Sequence, residues 1–80
     1  MTNEQLANQL RYRLHKKMHM PWELLDIASD ESVILSYVTC SFCGEQQISN
    51  EKLNWVIEHS QSAEQFMELW PQVADHSHWN

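Results

Sequence analysis

Residues 37–45 read Tyr-Val-Thr-Cys-Ser-Phe-Cys-Gly-Glu and hold both cysteines and the only glycine of this 80-residue chain. Two thiols at this spacing can share a metal ion, cycle as a redox pair, or pack as small apolar groups. A metal knuckle has specific needs. Its tight turn brings two thiolates to one ion, with backbone N–H groups after the first Cys pointing at its sulfur. A residue free to adopt positive φ suits the place after the second Cys. Gly44 stands there. A redox pair normally opens a helix in a βαβ unit, where the helix dipole lowers the thiol pKa. Here a β-branched apolar run precedes the pair and Gly-Glu-Gln-Gln follows it. The pattern therefore predicts Cys40 and Cys43 as ligands of a structural zinc.

The stretch Cys-Ser-Phe-Cys-Gly-Glu, residues 40–45, resembles the first half of a treble-clef or zinc-ribbon finger. It is also similar to the knuckle in the N-terminal zinc domain of the bacterial unfoldase that feeds the Clp protease. The resemblance covers those six residues and implies Cys40 and Cys43 as ligands. Such families complete the site with a second Cys pair, which this chain lacks. The remaining ligands must then be His or carboxylate. His59 is the first candidate, 16 positions after Cys43 and late in a predicted helix, in an order similar to that of a Cys2His2 finger. A fourth ligand would come from His15, His19, His76, His78, a carboxylate or water. His15 and His19 have the i,i+4 spacing that a metal can bridge. They fall opposite the apolar stripe of their predicted helix, and at its C-terminal end they also complement the dipole.

No other constellation suggests chemistry. The chain has no G-x-S-x-G, no phosphate-cradling Gly-rich loop and no H-E-x-x-H. Glu23 with Asp26, and Glu64 with Glu68, sit at ordinary spacing for solvated helix faces. No enzyme is expected.

The elements that must position the Cys pair follow from periodicity and punctuation. Thr2 or Asn3 can cap a helix over about residues 3–17, with Leu6, Leu10 and Leu14 on one face. Pro21 disfavours helix at Met20 and can open a short second helix. Residues 32–39, Ser-Val-Ile-Leu-Ser-Tyr-Val-Thr, read as a buried strand, and residues 45–49 as its antiparallel return. The Cys pair would occupy the hairpin tip. Two capped helices follow, residues 51–60 and 63–70, with Pro71 interrupting the second. The predicted fold is α+β: N-terminal helix, short helix, β-hairpin with a C-x-x-C-G knuckle at its tip, and two C-terminal helices. Residues 1–80 form one small domain, with 72–80 as a frayed tail.

Composition limits the partners. Apolar residues make up 42% and charged residues 20%, enough for a core and too little charge for a disordered chain. Neither a membrane span nor a secretory signal is expected, which together with two cysteines predicts a soluble cytoplasmic protein. The net charge of −6 is uneven. Residues 1–20 carry Arg11, Arg13, Lys16 and Lys17 against Glu4, while the rest carries Lys52 against ten carboxylates. An acidic body repels phosphate backbones and favours a basic protein partner. Four Trp are available. Trp22 and Trp70 are expected in core faces, and Trp55 away from the Leu53/Ile57 face as a partner contact. The expected function is a non-enzymatic interaction or regulatory module with an acidic surface and a structural zinc; a homo-oligomer is compatible with it. In size and charge the chain is similar to small regulators or inhibitors that phages and mobile elements direct at nucleic-acid-handling machinery. The alternative is a zinc-finger nucleic-acid-binding regulator using Arg11, Arg13, Lys16 and Lys17.

Overall fold

The computed structural model describes residues 1–40 and 42–75. Its regular elements are helices: α1 (Asn3–Met18), α2 (Trp22–Ile27), α3 (Asp30–Tyr37), α4 (Asn50–His59) and α5 (Ala63–Val73). None is long and apolar enough to cross a membrane.

Local chemistry sets most helix ends. Thr2 forms a reciprocal cap on α1: its hydroxyl accepts from the Gln5 N–H at 3.2 Å, and the Gln5 side chain accepts from the Thr2 N–H at 3.1 Å. The Leu6, Ala7, Leu10 and Leu14 face is buried. The helix stops at His19, held in the left-handed region at φ 55°. Pro21 then stands just outside α2 as its N-cap. Ser49 and Ser62 cap α4 and α5 by accepting from Lys52 and Gln65 N–H groups.

The expected α+β class is wrong, because residues 30–37 form a helix where a strand was predicted. Among the described residues there is no strand. The reason is legible locally. Ser29 accepts from the Ser32 N–H at 3.2 Å, and Asp30 and Glu31 place negative charge in the first turn. The β-branched run opposes helix only weakly, by well under about 1 kcal/mol per residue. In helical form Val33 and Ile34 fall on one arc, buried against α1. As a strand the run would need a partner, and Glu45-Gln46-Gln47 offers a polar one. Only one isolated antiparallel bridge, Thr39 with Gln46, remains of the hairpin.

Pro71 does not end α5, which continues to Val73. Only the last turn follows it, so the helix loses little hydrogen bonding there. Asp75 is held too: its N–H donates to the Gln47 carbonyl at 2.8 Å.

The core is one continuous cluster in which α1 and α3 pair extensively, α4 pairs with α5, and α1 also touches α2 and α5. Phe66 is fully buried at its centre, and Tyr37 lies between Phe66 and Trp70 with ring centroids 6.4 and 6.3 Å away. Trp70 is buried as expected. Trp22 is not: it is 41% exposed and stacks on His15 with centroids 4.4 Å apart.

Candidate functional site

The cysteine turn leaves the C-terminus of α3 and is closed by backbone bonds. The Cys40 N–H donates to the Glu45 carbonyl and the Gly44 N–H to the Cys40 carbonyl, both at 2.8 Å; the Gln47 N–H donates to the Val38 carbonyl at 2.9 Å. Gly44 has φ +74°, and nothing lies within 4 Å of where a Cβ would stand. Its requirement is therefore conformational, with no steric part.

This closure aims N–H groups at sulfur. The Phe42 and Cys43 N–H groups donate to the Cys40 sulfur, the Glu45 N–H donates to the Cys43 sulfur, and the two thiols bond each other. The effects on acidity diverge. Burial raises the Cys40 pKa, yet the two N–H donors and the Cys43 thiol outweigh it and leave the group below its usual range. At Cys43 the Glu45 N–H favours the thiolate, but partial desolvation, the hydrogen bond with Cys40 and the adjacent Cys40 and Glu45 charges push the group up. Of the two, Cys40 is therefore the easier to ionise and Cys43 the harder. A cation would supply the charge that lets both ionise.

Two features disfavour redox use. The easily ionised sulfur, Cys40, is buried, while Cys43 is exposed, so an external disulfide meets the wrong one first. The turn also follows a helix C-terminus, whose partial negative charge opposes a thiolate.

The structure does not bring His59 to the cysteines. Among the described residues no group of three or more His, Cys, Asp or Glu could hold a metal. His59 is engaged on its own helix: Nδ1 is 2.8 Å from the Trp55 carbonyl, and its ring stacks on Trp55 at 4.2 Å. An i,i+4 pair forms locally, whereas reaching the turn would require α4 to present that face to it. His15 is likewise occupied, with Nδ1 2.9 Å from the Met20 carbonyl. His19 serves as the left-handed end of α1. His76 and His78 lie outside the described residues.

Trp55 is 46% exposed. With Lys52, Gln72, Val73 and Ala74 it lines a shallow hollow where α4 meets the end of α5.

The basic segment is largely committed inside the molecule. Arg11 donates from Nε to the Leu25 carbonyl at 2.9 Å and from Nη2 to the Ala28 carbonyl at 2.9 Å and to Asp30 at 3.0 Å. It thereby satisfies carbonyls at the end of α2, and its side chain is only 14% exposed. Arg13 pairs with Glu64 at 3.0 Å. Lys16 lies 5.4 Å from the centroid of the Tyr12 ring. The Arg11 role escaped sequence reading because its acceptors are backbone groups 14 and 17 positions away. The signal that was available is a six-residue helix whose C-terminal turn carries no basic residue of its own.

Comparison with known protein families, curated proteins and solved structures finds no match for this chain.

Proposed function

We propose that the protein is a non-enzymatic interaction module whose acidic, apolar-studded surface takes a protein partner carrying positive charge. One observation carries this reading. Leu24 and Ile27, one turn apart on α2, are 52% and 81% exposed, with Glu23 and Asp26 beside them. Apolar side chains set among carboxylates suit a partner with an apolar centre and a basic rim. Trp55 offers a second contact of the type that dominates interface energetics. The nucleic-acid alternative is the weaker reading. Arg11 and Arg13 are already paired within the protein, which leaves Lys16 and Lys17 of the basic segment for phosphates.

The Cys turn fits half of a structural zinc site. Cys40 and Cys43 would hold the ion through sulfur, with the three N–H donors offsetting the charge of two thiolates. A tetrahedral zinc needs two further ligands. These would come from His76 and His78 or from a second copy of the turn.

The test is co-purification of tagged wild-type protein beside Ile27→Glu and Trp55→Ala variants, each verified as folded. A basic partner retained by wild type and lost from Ile27→Glu supports the reading. A partner held equally by both variants, or nucleic acid bound at low salt in its place, refutes it. Zinc content with solution mass separates the site models: one zinc per monomer that is lost from a His76→Ala, His78→Ala variant assigns those histidines, and one per two chains assigns a paired turn. Less than a few tenths of an equivalent removes the zinc.

A further inference from the structure

A cavity of about 330 Å³ opens between the C-terminal half of α1, the end of α3, the cysteine turn and α5. Its floor and walls are mainly apolar, formed by Leu14, Met18, Tyr37, Phe42 and Trp70, with Cys40 beside them. Its charge is one-sided. Arg13 and Lys17 both line it, and no carboxylate does so among the described residues, in a chain with 11 Asp and Glu. The two cations are also incompletely used. The Arg13 Nε is buried and has no hydrogen-bond partner among the described residues, although Nη2 pairs with Glu64. Lys17 makes no ion pair with a described residue.

A buried donor without a partner costs free energy unless something supplies an acceptor. Two cations beside an aromatic hollow call for a single negative charge on an apolar body. A phosphate dianion would lose too much hydration against Leu14, Met18 and Trp70, and an uncharged ring would leave Arg13 unsatisfied. The volume falls in the range of small-molecule sites.

We infer that this cavity binds a small carboxylate bearing an aromatic or branched apolar group, its carboxylate on Arg13 and Lys17 and its apolar body between Tyr37, Phe42 and Trp70. The site goes beyond the interaction surface proposed on α2 and needs neither that surface nor zinc.

The probe is 3-phenylpropionate, titrated at millimolar concentrations into the ¹⁵N-labelled full chain, with 3-phenylpropanamide as the uncharged control. The expected result is saturable shifts at the Leu14, Tyr37, Thr39 and Gln47 amides with a change in Trp70 fluorescence. The amide should bind roughly five-fold more weakly or worse, the factor that about 1 kcal/mol of partly desolvated charge interaction corresponds to. Lys17→Gln should weaken the acid by a similar factor and leave the amide unchanged, with its own spectrum reporting that the fold is intact. A short peptide ending in a free Phe carboxylate, compared with its C-terminally amidated form, distinguishes a protein C-terminus from a free acid as the source. No saturable shift, equal binding of acid and amide, shifts confined to α2, or a Lys17→Gln variant that binds like wild type would each overturn the assignment.

Discussion

Replacing Arg11 with Met should cost the protein a large part of its stability, because the guanidinium closes α2 from outside that helix. The substitution keeps an apolar stem and removes four bonds, two of them to the Leu25 and Ala28 carbonyls and the others to Asp30 and the exposed Asn8 side chain. A hydrogen bond to a charged group contributes about 1.5–3 kcal/mol net. Two such bonds would set an upper figure of roughly 6 kcal/mol, but carbonyls at a helix end can turn to water once the guanidinium is gone. The Asp30 pair adds little, about 0.2–1 kcal/mol, since that carboxylate is 38% exposed. The net expectation is a loss of about 2–4 kcal/mol, a sizeable share of the stability of a domain this small. Urea unfolding followed by far-UV circular dichroism measures it directly. Arg11→Lys keeps the charge without the fork and should fall between Met and wild type. Asp30→Asn should cost less than about 1 kcal/mol. If Arg11→Met unfolds within about 0.5 kcal/mol of wild type, or if Asp30→Asn costs as much as Arg11→Met, the carbonyl-capping argument fails.

Other expectations follow from the turn and the C-terminal anchor. Gly44→Ala should lower stability by about 1 kcal/mol and Gly44→Asn by less, because the cost lies in φ +74° and not in space; thermal melts giving equal losses for both would contradict this. In metal-free protein a maleimide should label exposed Cys43 ahead of buried Cys40, and added zinc should protect both; mass mapping that finds Cys40 labelled first would show that acidity outweighs access. The Lys52 ammonium and then the Ser49 N–H hold the Asp75 carboxyl below its usual pKa. The sign follows: the stabilisation is present above the unfolded carboxylate pKa of about 3.9 and disappears as pH falls through the lower folded value. Asp75→Asn should therefore melt below wild type at neutral pH and converge with it in acid, and a constant gap at all pH values would exclude that carboxylate as the cause.

Sequence reading recovered α2 from Pro21 alone and α1, α4 and α5 from two concordant signals each. In α1, Thr2 and the Leu6, Leu10, Leu14 spacing agree, and in α4 and α5 a serine cap precedes a clean apolar face. Residues 32–39 carry discordant signals: a β-branched composition that suits a strand and, just ahead of it, a Ser29-Asp30-Glu31 helix start. Tertiary burial against α1 decided the outcome, and no local propensity encodes it. The cysteine turn was legible because its geometry lies within six residues; the place of His59 was not, because it depends on which way α4 faces. The cavity was invisible for the same reason. Its cations come from α1 and its aromatic walls from α3, the turn and α5, so no stretch of sequence contains it.

The thiol turn also occupies a particular place in the order of the chain. Ahead of it, α1 contacts both α2 and α3; behind it, α4 and α5 form a pair, and the contacts of α1 and of Tyr37 with α5 cross between the groups. The α4–α5 pair joins neighbours in sequence, the kind of contact that forms quickly, whereas α1 and α3 meet across α2 at least 12 positions apart; each group can open as a cooperative unit. The turn is the covalent seam between the two. A change in its conformation would alter how the groups dock before it altered either group internally. Amide exchange should accordingly report Gly44→Ala first where the groups meet, at residues 38–48 and at the ends of α1 and α5, with the interiors of α1 and α4 exchanging as in wild type.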